Sequence, residues 1–250
     1  MSLLQKVTHN HTCLKTPSAL IQSDFFRLTM TLTNTETVLD HLVLGTSDLN
    51  RGSAWLERFL GVTLSDVGTH VRMGTHNRML SLGPSVYLEL VAIDPRGAAP
   101  FMPRWFGLDT IDVQERIAQK PRLLGWVART NDIDALDKKT GSVLGGVHPM
   151  ERGDFKWRIT IPEDGYPVEG GLVPTLIQWD VPMHPCDRLP DQQCRFEWME
   201  AAHPNPAKIQ YLLSELGLEK SLVLTSTPPY SGMTMCAYIR TPGGVKTLMS

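Results

Sequence analysis

An internal repeat constrains this chain more than any other feature. Residues 42–61 read LVLGTSDLNRGSAWLERFLG. Moved 84 positions without a gap, they meet WVARTNDIDALDKKTGSVLG at 126–145. Thr46/Thr130, Asp48/Asp132, Leu49/Ile133, Leu60/Leu144 and Gly61/Gly145 then coincide. Moved 156 positions, they meet WMEAAHPNPAKIQYLLSELG at 198–217, with Leu56/Leu212, Leu60/Leu216 and Gly61/Gly217 in register. A unit this short cannot close a core alone, so the copies must bury their apolar faces together.

Each copy has the same physical grammar. A short apolar strand, 38–45 in the first, runs into a turn rich in helix-capping residues: Ser47 and Asp48, Asn131 and Asp132, then Asn205. An amphipathic helix follows, with Ala54, Trp55, Leu56, Phe59 and Leu60 at helical spacing, and a glycine stops it. Unit one continues with strands at 62–73, 76–82 and 86–94, the last two flanking Gly83-Pro84. Unit two offers strands at 123–129, 155–161 and 173–180 around a helix at 133–139. Unit three offers a strand at 195–202, a helix at 206–216, strands at 222–225 and 234–241, and a short last strand at 246–249.

The pattern predicts an α+β fold: paired βαβββ modules plus a third βαββ unit in one domain over 38–250. Module one is 38–94, the connector 95–120, module two 121–181 and the third unit 195–250. The Pro-rich connector holds Trp105 and Phe106 and is expected to wrap the surface, with a helical turn at 112–118. Residues 182–191 read as an irregular loop.

Residues 1–37 show neither period. They lack a secretory pattern, since Lys6 is a lone charge with no apolar run or A-x-A site behind it. They read as a disordered N-terminal extension, with Met30 an alternative start. The H-x-H of His9 and His11 reads as solvated side chains.

Composition acts by exclusion. With 24 Lys+Arg against 26 Asp+Glu the net charge is −2, and no basic stripe is interleaved with aromatics. Neither nucleic acid nor an anionic membrane is an expected partner. No apolar run approaches the ~18 residues of a membrane span. The 4 cysteines form no CxxC pair and read as reduced thiols of a cytoplasmic protein. P-loop, G-x-S-x-G and G-x-G-x-x-G patterns are absent, and Gly243-Gly244 reads as a hairpin turn.

Several stretches together resemble the glyoxalase-like domain branch of the vicinal oxygen chelate (glyoxalase/bleomycin resistance/extradiol dioxygenase) superfamily. They are LDHLVLGTSDL (39–49), GTHNRMLSLG (74–83), YLELVAIDP (87–95), FKWRITIPEDG (155–165), GGLVPTLIQWD (170–180) and HPNPAKIQYLLSELGL (203–218). The resemblance implies two βαβββ modules curved around a cleft. It also implies a divalent metal (Zn, Mn, Fe, Ni or Mg) held by the first and last strands of each module, where it chelates vicinal substrate oxygens. The module-one positions fall on His41 and Glu89. Strand alternation puts His41, Val43 and Gly45 on one face and Leu42 and Leu44 on the other. It also sets Tyr87, Glu89 and Val91 against Leu88 and Leu90. An ionised Glu89 among apolar neighbours is costly to bury unless a cation or hydrogen bonds meet it.

Module two breaks this pattern, with Gly125 opposite His41 and Gln178 opposite Glu89. Gly has no donor and Gln is a weak, neutral one. His76 is the nearest replacement, as third ligand or general base, with Glu197 and His184 further candidates. His184, Cys186 and Cys194 have zinc-like chemistry but loop-like spacing. Arg78 and Arg158 could grip an anionic group or lie on an outer face. Tyr87 could orient a ligand, and Trp157, Trp179 and Gln178 could wall the cleft.

Three readings stay open. One is a metal-dependent lyase, isomerase or dioxygenase using His41, His76 and Glu89. Another is a metal-free protein that binds or sequesters a small ligand through Arg78, Tyr87, Arg158 and the tryptophans. The third is an interaction module with a vestigial cleft. A homodimer contact through the third unit is compatible with all three.

Overall fold

The computed structural model describes residues 35–250. The expectations for the arm at 1–37, including His9, His11 and Met30, fall outside that range up to residue 34. From there the chain enters β1 (Thr37–Gly45), α1 (Leu49–Leu60), β2 (Gly68–His70), β3 (Thr75–Ser81) and β4 (Tyr87–Ile93). After α2 (Ile111–Ile117) in the connector come β5 (Arg122–Thr130), α3 (Ile133–Lys139), β6 (Gly146–Arg152), β7 (Phe155–Ile161) and β8 (Thr175–Trp179). The third unit is β9 (Arg195–His203), α4 (Pro206–Glu215), β10 (Val223–Ser226), β11 (Thr234–Thr241) and β12 (Gly244–Met249).

The repeated turn residues are the helix caps. Asp48 accepts from the Arg51 amide, Asp132 from Ala135 and Asn205 from Lys208. Each satisfies an amide that the first helical turn would leave unpaired. Gly61 closes α1 with φ of 74°, a left-handed conformation that costs glycine nothing.

The first two modules share one eight-stranded sheet in the order β2-β3-β4-β1-β5-β8-β7-β6. Each module contributes the same internal order, and antiparallel pairing of β1 with β5 joins them. The third unit departs from that plan. Its separate sheet runs β10-β9-β11-β12, with β9 inside and parallel to β10. The helix-and-glycine repeat therefore reaches the third unit, but the module topology does not.

The sheet faces sort side chains as alternation dictates. Leu42, Leu44, Leu88, Leu90 and Trp126 share one buried cluster with Leu56 and Leu60 of α1. Met199, Ala201, Met235, Ala237 and Ile239 of the second sheet join it. On the other face Val43, Val91, Val127, Trp157, Ile159 and Ile177 form a second cluster. The connector does not merely wrap the surface. Trp105, Phe106, Leu108, Val113 and Ile117 are buried in that second cluster, so the connector makes a wall of the cleft.

Two edge strands differ from expectation. Only Gly68–His70 of the predicted 62–73 strand is extended, and a tight turn at Val71–Met73 follows it. β6 has no counterpart among the predicted strands. It is the edge of the large sheet, largely exposed, and Pro149 interrupts it, so it carries little alternation.

Leu56 is fully buried between α1 and the sheet. Leu56→Ala is expected to lower unfolding free energy in urea by about 3 kcal/mol. Asp48→Ala, which removes only a cap, should cost about 1 kcal/mol. Equal losses would contradict this ranking of core over cap.

Candidate functional site

The cleft lies on the face of the large sheet opposite α1. β1 and β4 are parallel neighbours, and β3 pairs antiparallel with β4 so that Met79 faces Glu89 and Asn77 faces Val91. Directly paired residues project to one face, so Glu89, Met79 and Asn77 enter the cleft with His41 and Tyr87. β2 adds His70 by pairing with Thr75. From module two come Arg152, Phe155, Trp157 and Trp179, and the connector adds Trp105 and Phe106. The space left among them is tight, about 30 Å³.

His41 is the most constrained polar group. The β1–β5 ladder slips between Leu39 and His41, so Asp40 is an extra, bulged residue beside it. The Asp40 carboxylate is fully buried and lies 2.6 Å from His41 Nδ1. It also accepts from Trp179 Nε1 at 3.0 Å and lies 3.1 Å from His184 Nε2. Burial alone would raise the Asp40 pKa, but the hydrogen bonds to His184 and His41 outweigh it and hold the carboxyl well below the usual range. An ionised Asp40 accepts a proton bond from Nδ1, which leaves His41 Nε2 facing the cleft.

That nitrogen lies 3.7 Å from Glu89 Oε2, too far for a direct hydrogen bond and suited to one intervening atom. Tyr87 stacks on the imidazole at 4.4 Å. Burial holds the Tyr87 hydroxyl well above its usual pKa, so it stays protonated. Asn77 Nδ2 donates to Glu89 Oε1 at 2.5 Å, and Arg152 Nη1 donates to Asn77 Oδ1 at 2.9 Å. His70 Nε2 sits 3.9 Å from Glu89 Oε1 and 3.4 Å from Arg152 Nη1. Burial lowers the His70 pKa to about 4, so it is neutral at pH 7.

The sequence-derived candidates divide between the two faces. His41, Glu89, Tyr87 and Trp157 meet in the cleft, and Trp179 joins them. His76 and Arg78 do not. They are out of phase with Asn77 and Met79 on β3, so they take the opposite face. His76 lies 4.0 Å from Asp94, and Arg78 donates to the Ser65 carbonyl at 2.7 Å. Arg158 and Gln178 are paired with each other and project away from the cleft. Arg158 donates to Asp134 at 2.6 Å, and Gln178 accepts from the Ile133 amide at 2.8 Å. Glu197 pairs with Arg240 at 2.6 Å on the other sheet. His184 reaches the site through Asp40, and Cys194 is buried in the apolar cluster behind it. His70, Asn77, Asp40 and Arg152 were missed as site residues. Register from Glu89 across two hairpins would have placed the first two.

The resemblance implies a resident metal. Among the described residues no group of three or more His, Cys, Asp or Glu is arranged to hold one. Gly125 has no donor, and Gln178 is spent on α3. The remaining candidate, His70 Nε2, faces the Arg152 guanidinium, a fixed cation that would oppose a dication. Two carboxylates, Asp40 and Glu89, are already matched by two guanidiniums, Arg129 at 3.7 Å from Asp40 and Arg152 beyond Asn77. These residues do not fit the superfamily's metal centre.

The depressed His70 pKa has a definite sign in stability. Between about 6.5 and 4 the unfolded chain binds the proton and the native one does not, so stability falls as pH drops through that window. The loss is on the order of 3 kcal/mol. His70→Gln should flatten urea-unfolding free energies across that window. An unchanged slope would show that His70 protonates freely in the native state.

Comparison with known proteins follows from this geometry. No curated protein matches the chain. A hypothetical protein from Staphylococcus aureus, known from its crystal structure, is similar in fold at 17% identity. The match covers 86% of this chain and 85% of that one, with a TM-score of 0.50. A methylmalonyl-CoA epimerase from Mycobacterium tuberculosis matches at 17% identity over 56% of this chain and 85% of its own, with a TM-score of 0.35. The family model described as a glyoxalase-like domain matches residues 39–217, which spans β1 through the glycine that ends α4. The chain belongs to the glyoxalase-like domain family.

Proposed function

We propose that the cleft binds a small, flat, largely apolar molecule with vicinal oxygens and moves a proton on it without a resident metal. This is lyase or isomerase chemistry. The observation that carries the reading is the His41–Glu89 pair, two potential proton acceptors 3.7 Å apart inside aromatic walls. A reacting atom between them can give a proton to one and receive one from the other. Asp40 fixes the His41 tautomer and stabilises the imidazolium that forms. Asn77 holds Glu89 in place. Trp105, Trp157 and Trp179 exclude water, which strengthens each of these interactions.

A reducing, cytoplasmic setting is part of the proposal. Cys186, Cys194 and Cys236 are unpaired thiols, and among the described residues no helix is long and apolar enough to cross a membrane.

The test is proton exchange. 2-Hydroxyacetophenone, a flat vicinal-oxygen compound, is incubated with EDTA-treated protein in deuterium oxide and followed by proton NMR. Exchange of the carbon-bound protons should survive EDTA. It should fall about a hundredfold in Glu89→Gln and in His41→Asn. Exchange that returns only on adding Zn, Mn, Ni or Fe(II) would contradict the metal-free reading. Binding without any exchange would replace catalysis by sequestration.

A second check is thermal. A metal that binds the native state must raise its melting temperature. No rise is expected with those four ions, and a rise abolished by His41→Ala would restore the metal centre.

A further inference from the structure

Arg152 is the one cation that lines the cleft among the described residues. It ends β6, and the two-residue turn Gly153-Asp154 returns the chain so that Arg152 pairs with Phe155. Its side chain crosses from module two into module one. There its partners are all neutral: Asn77 Oδ1 at 2.9 Å, His70 Nε2 at 3.4 Å and Met79 Sδ at 3.8 Å. No described carboxylate forms an ion pair with it, whereas Arg158, Arg188, Arg195 and Arg240 each have one. A guanidinium has five donors, and these contacts engage only its two terminal nitrogens.

The surroundings hold the guanidinium with no described carboxylate in direct contact. Its central carbon lies 5.9 Å from the Phe155 ring centre. A Cβ added at Gly68 would lie 2.5 Å from both Arg152 Nη1 and Asn77 Oδ1, so glycine there makes room for the hydrogen-bonded pair. Arg152 also lines two wider hollows outside the cleft, of about 740 and 830 Å³, so it stands where the tight interior opens outward. Asn77 links it to the His41–Glu89 pair, donating to Glu89 Oε1 and accepting from Arg152 Nη1.

We propose that Arg152 is the anion-binding residue of this cleft and that the ligand is a small aromatic carboxylic acid. Its carboxylate takes the unspent guanidinium donors, and its ring packs against Trp157, which lines the same wider hollow as Arg152. This rests on the small-molecule reading of the cleft given above and adds the charge of the ligand. A charge-assisted pair in an aromatic setting is the strong kind, and the planar fork suits a carboxylate.

The experiment compares benzoate with benzamide, its neutral isostere, by quenching of tryptophan fluorescence. Wild type should bind benzoate about tenfold more tightly than benzamide. Arg152→Gln should erase that preference by weakening benzoate more than benzamide, and an unchanged near-ultraviolet circular dichroism spectrum reports an intact cleft. Arg152→Lys should recover part of it. Gly68→Ala, which crowds the guanidinium and its Asn77 partner, should also narrow the preference, and it serves if Arg152→Gln does not fold. Equal binding of the two compounds by wild type, or a preference that persists in Arg152→Gln, overturns the anion assignment while benzamide binding keeps the cleft reading. Failure of wild type to bind either compound removes both.

Discussion

The antiparallel pairing of β1 with β5 is the constraint on which the rest depends. It joins two modules of the same internal order into one sheet, and it fixes which side chains face the cleft. Because the side-chain period is two, a one-residue slip would exchange the cleft lining for the core. Two slips do occur, one at Asp40 and one between Val43 and Leu44, and the one at Asp40 is local. It inserts one residue and places a buried carboxylate beside His41 without turning Leu42 and Leu44 out of the core.

From that bulge the polar chemistry spreads outward. Asp40 gathers His41, His184 and the Trp179 indole, groups from β1, the loop after β8 and β8 itself. Glu89 is held more loosely, by Asn77 on one oxygen and His41 across a gap on the other. Burying two carboxylates is tolerable because each is hydrogen-bonded and a guanidinium stands near. The charge is thus balanced by fixed protein groups. That is a different solution from a dication, and Arg152 occupies the side of Glu89 where a further ligand would be needed.

Much of this was legible in the sequence. The repeat predicted the caps Asp48, Asp132 and Asn205, the helix at 133–139 and the strand at 234–241. Alternation along β1 and β4 put His41, Tyr87 and Glu89 on one face, because both strands are central and their apolar neighbours are unambiguous. The same rule, applied from the wrong starting phase on β3, aimed His76 and Arg78 into the cleft. Carrying phase across the β3–β4 pairing corrects it, since Met79 must share the face of Glu89. Arg158 and Gln178 failed similarly, one residue out of phase with Trp157 and Trp179. Arg152 and His70 were hidden for another reason. Both lie on edge strands that one neighbour covers, where exposure blurs the alternation that marks a strand. The bulge at Asp40 left only a faint sequence signal, the adjacent polar pair Asp40-His41 in an otherwise apolar strand, which alternation alone does not resolve into an extra residue.

The central proposal is that no metal ion bridges His41 Nε2 and Glu89, and that the pair acts directly on a proton of the ligand. Nitrogen-15 NMR of the histidine rings tests it most directly, because protonated, bare and metal-bound ring nitrogens have distinct shifts. His41 should show a proton on Nδ1, and its Nε2 signal should stay the same after EDTA treatment and after one equivalent of zinc. A zinc-induced shift at His41 Nε2 that Glu89→Gln abolishes would contradict the account.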